Sequence, residues 1–247
     1  DRFAPWPEEV NRCMIAPIAE AHFAPTSIAR DALLRESIPQ ERIHLTGNTV
    51  VDALHAACHK LDQIGIPAAL QQWSDFLAVD GEALLVTTHR RENLDGGIGM
   101  VCDAILEILE KRPTARVMFP VHLNPLVRDV VEGKLGQHER ICLLPPMDYL
   151  SFVWLMRRSD VIMSDSGGVQ EEAPGLGKPV VVLRAVTERQ EAVAAGFARL
   201  VGTDREKIVA TVHGLLDMPR ELRCPPIEQN PFGDGRAAIK IADLLAI

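Results

Sequence analysis

From residue 83 onward one pattern recurs: a short run of Val, Leu and Ile, then a stretch whose apolar residues return at helical spacing. Strands are predicted near 83–88, 115–121, 141–145, 161–164, 179–184 and 199–202. Several are apolar throughout rather than at every second position, as strands covered by helices on both faces must be. Helices are predicted near 98–112, 124–135, 148–158, 168–177, 189–196 and 205–217. In the first of these, Ile98, Val101, Ile105, Ile108 and Leu109 make a single apolar stripe. Asp204 is placed to cap the last. Such alternation specifies an α/β domain built on a doubly wound parallel sheet.

The text before residue 83 differs. It predicts a helix over 8–20, a strand at 21–24, a helix over 26–36 and a helix over 49–62. Helix 49–62 begins the main domain, and the one strand and two helices before it make no sheet and cannot bury their own apolar faces. The segment therefore packs on the main domain or belongs to a domain whose earlier strands are absent. The opening DRFAPWP has no initiator Met and reads as a chain entered midway. The expected organisation is a remnant over 1–46, a complete domain over 47–229, and a tail over 230–247. In that tail a terminal helix follows the turn residues NPFGDG and crosses back toward the first segment.

Composition narrows the function classes. With 47% hydrophobic and 24% charged residues the chain suits an ordinary globular protein, and it contains no apolar run of the ~18 residues a membrane span requires. A net charge of -8 disfavours a surface for nucleic-acid phosphates. No leader pattern opens the chain, which makes the cytoplasm the expected location. The five cysteines never form a CxxC pair and read as reduced, mostly buried packing residues, so neither a metal site nor redox chemistry is expected.

The sharpest local signal is VIMSDSGGVQEEAPGLGKPVV, residues 161–181, where an apolar strand runs through Ser164, Asp165 and Ser166 into Gly167, Gly168 and a helix. Glycines at such a turn let backbone approach an anion, helix amides point at it, and Ser166 adds a hydroxyl. Glu171 and Glu172, a turn further on, suit ribose hydroxyls. A capped turn followed by a solvated acidic face remains the alternative. LLVTTHRREN, residues 84–93, ends another strand in His89, Arg90, Arg91 and Glu92, where an open sheet faces its ligand crevice. That run fits phosphate contacts or a surface ion-pair cluster. His122 ends the following strand, and Arg184, Thr187, Glu188, Arg189 and Glu191 follow a later one. Glu8 and Glu9 at a helix start read alone as dipole-complementing residues.

Taken together and in order, PWPEEVNR, HFAPT, TGNTVVDAL, HRREN, PVHLNP, SDSGGVQEEAPGLGKPVVVLR, TER, LVGTD and NPFGDG resemble the non-hydrolysing UDP-N-acetylglucosamine 2-epimerases along the whole chain. The resemblance implies a GT-B-like arrangement of two Rossmann-like domains, with the first of them cut short here, and no metal or dissociable coenzyme. It implies UDP contacts at Phe152, Ser166, Gly167, Gly168, Glu172 and Arg189, and catalytic roles for Glu8 and His89. Arg90 and His122 resemble positions that bind a second UDP-GlcNAc as an activator. The implied ligands are UDP-GlcNAc and UDP-ManNAc, and the implied assembly is a homodimer. The family's N-terminal sheet, with an Asp and a Glu used in catalysis and an early Arg, has no counterpart in these residues, and Gln190 replaces a usual Pro. A hydrolysing epimerase, a GT-B glycosyltransferase and a non-catalytic nucleotide-sugar-binding protein are the competing expectations.

Overall fold

The computed structural model describes residues 6–90 and 96–246. Among them, in chain order, lie α1 (Glu8–Ile15), β1 (His22–Ala24), α2 (Ser27–Arg35), β2 (Ile43–Leu45), α3 (Thr49–Ile64), α4 (Ser74–Ala78), β3 (Ala83–Thr87), α5 (Gly97–Lys111), β4 (Arg116–Pro120) and α6 (Pro125–Leu135). Then follow β5 (Ile141–Leu144), α7 (Tyr149–Arg158), β6 (Val161–Ser164), α8 (Gly167–Glu172), β7 (Val180–Val182), α9 (Gln190–Ala194), β8 (Ala198–Leu200), α10 (Arg205–Leu216) and α11 (Ala237–Leu245). Two compact units result: residues 1–53 with 232–247, and residues 54–231. The divisions at 53/54 and 231/232 differ by a few residues from those read in the sequence, because the first turn of α3 groups with the first unit.

In the larger unit six parallel strands are ordered β5-β4-β3-β6-β7-β8. Counted from β3, that is the 3-2-1-4-5-6 order of a doubly wound sheet, with its switch point between β3 and β6. These two strands pair Leu84 with Val161 through to Thr87 with Ser164. β6 and β7 are buried at every position, which explains their unbroken apolar sequence. α5 buries Ile98, Val101, Ile105, Ile108 and Leu109 together with Cys102 and Ala104, and its stripe joins a core with Phe119, Met163, Val181 and Val212. The helices start where side chains can satisfy their first amides: Asn124 accepts from Leu126 at 3.1 Å, Asp148 from Ser151 at 2.9 Å and Asp204 from Lys207 at 3.0 Å.

The predicted helix over 168–177 divides. α8 stops at Glu172 and a 3-10 turn takes Ala173–Leu176, since Pro174 has no N–H to continue the α-helical pattern. Gly177 closes the turn at a φ of 63°. All five cysteines are unpaired, but only Cys102 and Cys142 are buried, against the expectation that most would be.

In the smaller unit the sequence reading is corrected. β2 pairs in parallel with β1, His22 against Ile43 and Ala24 against Leu45, so the segment does form a sheet, of two strands. The helix predicted over 8–20 ends at Ile15, two residues before Pro17, whose ring nitrogen cannot donate back. Within this unit the Asp52 carboxylate accepts from the first amides of α11, Ala237 at 3.1 Å and Ala238 at 2.9 Å. Gly47, at a φ of 90°, lets the chain pass the backbone at 232–233. A Cβ there would stand 3.3 Å from the Phe232 carbonyl oxygen.

Candidate functional site

The carboxyl ends of β3 and β6 lie side by side at the switch point, and one carboxylate joins them. Asp165, the residue after β6, is fully buried. Its Oδ2 accepts from Thr88 Oγ1 at 2.7 Å, from the His89 amide at 3.0 Å and from the Arg90 amide at 2.9 Å. Its Oδ1 lies 3.2 Å from the same His89 amide and 3.3 Å from His89 Nδ1. A carboxylate taken out of water needs this number of donors. The turn that carries His89 and Arg90 is thereby fixed to the start of the SDSGG segment.

The His89 imidazole, 38% exposed, stacks on that of His122 with ring centroids 5.9 Å apart and planes 24° from parallel. His122 Nδ1 accepts from the Asn124 amide at 3.1 Å. Arg90 Nε is buried and has no hydrogen-bond partner among the described residues. Arg91, Glu92 and Asn93, the rest of the HRREN motif, lie outside the described residues.

Beyond Asp165, the Ser164 hydroxyl accepts from the Ser166 amide at 3.0 Å, and Ser166 precedes α8 with extended backbone and no capping bond from its own side chain. The Arg189 guanidinium rests over Gly167: a Cβ added there would stand 3.4 Å from its Cζ. Glycine thus leaves a close seat for a cation at the helix start. Two latches hold Arg189 in that seat. Its Nε donates to Glu171 Oε1 at 2.8 Å, and its amide donates to Thr187 Oγ1 at 3.1 Å. Thr187 in turn donates to the buried Gln170 Oε1 at 2.6 Å, and Gln170 Nε2 donates to the Ser166 carbonyl at 3.1 Å. In the same loop Arg184 grips Glu188 through both nitrogens, at 2.7 and 3.1 Å, and holds that carboxyl down at about 2.

Glu172, at the end of α8, is buried, and burial pushes its carboxyl above the ordinary range. The nearby Tyr149 hydroxyl works against that shift, and the neighbouring Glu171 adds to it. Burial and the Glu172 carboxylate together raise the Tyr149 phenol. Tyr149 opens α7, and Phe152 lies one turn on in the same helix. Glu8 opens α1 in the smaller unit and is exposed.

The larger unit thus gathers His89, Arg90, His122, Ser166, Gly167, Gly168, Arg189 and Glu172 around the sheet's carboxyl edge. Sequence reasoning passed over three parts of this arrangement: Asp165 as the link between strands, the Gln170–Thr187 latch, and Tyr149. Asp165 stands inside the quoted motif but reads there as a turn residue. Tyr149 is the only tyrosine in the chain, and no spacing pairs it with Glu172.

Among the described residues no three metal-ligating side chains gather, and no helix is long and apolar enough to cross a membrane. Compared with known proteins, residues 1–246 match the family model described as UDP-N-acetylglucosamine 2-epimerase. The UDP-N-acetylglucosamine 2-epimerase of Salmonella typhimurium is 46% identical over 246 residues, which is 99% of this chain and 65% of that protein. The crystal structure of UDP-GlcNAc 2-epimerase from Neisseria meningitidis bound to UDP-GlcNAc matches with a TM-score of 0.90 at 42% identity, over all of this chain and 66% of that one. Likeness of fold alone extends to the wall teichoic acid polymerase TagF, with a TM-score of 0.59 at 14% identity, and the α/β fold is GT-B-like. The chain spans about 65% of the length of the curated relatives it matches. By the match over 246 of its residues, this chain belongs to the UDP-N-acetylglucosamine 2-epimerase family.

Proposed function

We propose that the larger unit is the nucleotide-holding part of an epimerase that interconverts UDP-GlcNAc and UDP-ManNAc by inverting C2 of the sugar. One observation carries the proposal: the start of α8, with Gly167 bare beneath the Arg189 guanidinium, lies at the switch point beside the turn bearing His89. Amides, a serine hydroxyl and a guanidinium there suit a diphosphate. Glu172, buried at the end of the same short helix, suits the ribose hydroxyls, and Phe152 a further nucleotide contact. The neisserial relative that matches at 42% identity is described with UDP-GlcNAc bound.

The chemistry follows from what such a site offers. A carboxylate removes the C2 proton while the C1–O bond to UDP breaks, giving a 2-acetamidoglucal and UDP. The cradle retains UDP so that it returns to C1 as a proton is delivered to the opposite face of C2. Glu8 is the proposed acid–base group within these residues, and His89 acts beside the departing diphosphate. Arg90 and His122 are proposed to contact a second UDP-GlcNAc as activator. We place the enzyme in the cytoplasm as a homodimer that needs no metal or coenzyme, and its ManNAc product in envelope or capsule polysaccharide.

Calorimetry on the 247-residue chain tests the cradle. UDP should bind, and Ser166→Ala and Glu172→Ala should each weaken it on the order of 10-fold, since hydrogen bonds involving a charged partner are worth about 1.5–3 kcal/mol. Unchanged affinity in the double variant would sink the assignment.

A further inference from the structure

We infer that Asp165 is a positioning residue: it holds the neutral His89 ring with its proton on Nδ1, leaving Nε2 as the nitrogen offered to a ligand. The assignment follows from how the two carboxylate oxygens divide their partners. Oδ2 takes Thr88 Oγ1, the His89 amide and the Arg90 amide, all within 3.0 Å. Oδ1 shares the His89 amide at 3.2 Å and faces His89 Nδ1 at 3.3 Å. Nδ1 meets Oδ1 at 3.3 Å, and a bare nitrogen lone pair there would face a carboxylate oxygen, so hydrogen on Nδ1 is the favoured arrangement. The other nitrogen is then a free acceptor, ready to take a proton or a hydroxyl hydrogen bond.

The stacked neighbour provides a contrast within the same site. His122 Nδ1 accepts the Asn124 amide at 3.1 Å, so a neutral His122 must carry its hydrogen on Nε2. Two imidazoles whose centroids are 5.9 Å apart therefore hold opposite tautomers, each set by the group that meets Nδ1. Thr88, buried itself, keeps the Asp165 carboxylate from rotating by occupying Oδ2. The functional consequence, that Nε2 of His89 faces the nucleotide sugar, rests on the proposed function above; the tautomer itself does not.

Asp165→Asn tests the inference because the substitution has only one comfortable orientation. Three donors converge on the Oδ2 position, so the amide oxygen must stand there and the NH2 must replace Oδ1. That NH2 then donates to His89 Nδ1 and drives the ring hydrogen to Nε2, the reversal expected when a histidine's orienting aspartate becomes asparagine. Long-range 15N–1H correlation spectra at about pH 8, above the ordinary imidazole range, report each ring's tautomer directly. The unmodified chain should show His89 with Nδ1–H and His122 with Nε2–H. In Asp165→Asn the His89 pattern should reverse while His122 keeps its own.

An Nε2–H pattern for His89 in the unmodified chain would overturn the inference, even if the variant fails to fold. An unreversed His89 in a folded variant would overturn it too. UDP added to the same samples separates the two proposals. Loss of all UDP-induced shifts would count against the nucleotide reading, while the ring patterns recorded without UDP would still decide the role of Asp165.

Discussion

The strand pair at the centre of the larger unit is closed at each end by a buried aspartate, and the two ends differ in what they close with. Asp160 precedes β6 and its Oδ2 accepts from the amide of Ala83 at 2.9 Å, where β3 begins. Asp165 follows β6 and accepts from Thr88, His89 and Arg90, where β3 has ended. Both contacts keep the register that pairs Leu84 with Val161. At the amino end, however, the remaining carboxylate capacity goes to guanidiniums: Arg223 Nη1 at 2.7 Å and Arg220 Nε at 2.8 Å. At the carboxyl end it goes to the backbone of a turn and to an imidazole. One device, used twice, fastens the sheet at one end and holds the His89 ring at the other.

The sharpest way to break this comparison is Asp160→Ala. Arg223 is nearly enclosed, with a side chain 9% exposed, so the substitution leaves a buried cation and the Ala83 N–H without their acceptor. Losing one partner of a buried pair costs about 3–5 kcal/mol, which urea unfolding would measure. UDP affinity of the folded fraction should stay unchanged, since the fault lies at the opposite end of the strands. If stability moved by less than about 1 kcal/mol, the amino end would be no fastening, because that is the range of surface pairs.

How much of this was legible in the sequence depends on how each part is encoded. β3, β4, β6 and β7 were readable because strands buried on both faces must be apolar at consecutive positions, as VIMS in β6 is. β2 was not: its residues Ile43, His44 and Leu45 run from buried to exposed over three positions, too few for any period to register. α1 and α2 bury no residue at all within their unit, so their apolar side chains carry no information about a partner face. The anion-binding look of SDSGG was visible because glycines and a helix start are local. The Asp165 link spans 77 residues to Thr88, and the Thr187–Gln170 latch spans 17. Pairings at that separation depend on which strands the topology makes neighbours, and a motif contains only one side of each.

A second, smaller effect sharpens the contrast between fastening and function. Burial raises the Glu172 carboxyl relative to the unfolded chain, so ionisation is disfavoured in the folded state. The sign follows: its contribution is fully favourable at pH values below the ordinary carboxylate range and is lost as pH rises through the raised folded value. Glu172→Gln keeps the side chain's size and polarity and removes the titration. The variant should therefore match the unmodified chain in stability at acidic pH and exceed it at neutral pH, while binding UDP more weakly. Thermal unfolding followed across pH 4 to 8 reads the first part and calorimetry the second. A neutral-pH stability below that of the unmodified chain would mean that the carboxylate fastens the fold, as Asp160 does.

The smallest effect belongs to the loop that carries Arg189. Glu188 is held down at about 2 by the Arg184 guanidinium, but its side chain is 47% exposed, so water screens most of the interaction. Here the sign is opposite to that of Glu172: a depressed carboxyl contributes stability above its ordinary value of 4.5 and loses it as pH falls toward 2. Glu188→Gln should cost about 0–1 kcal/mol at neutral pH, with the gap to the unmodified chain closing on acidification. UDP affinity should shift little, because Arg189 keeps its bond to Glu171 and its amide bond to Thr187. Urea midpoints measured at several pH values would show the closing gap. A cost that persisted unchanged down to the most acidic point would mean that the Glu188 charge plays no part, and that its packing against Arg184 alone shapes the loop.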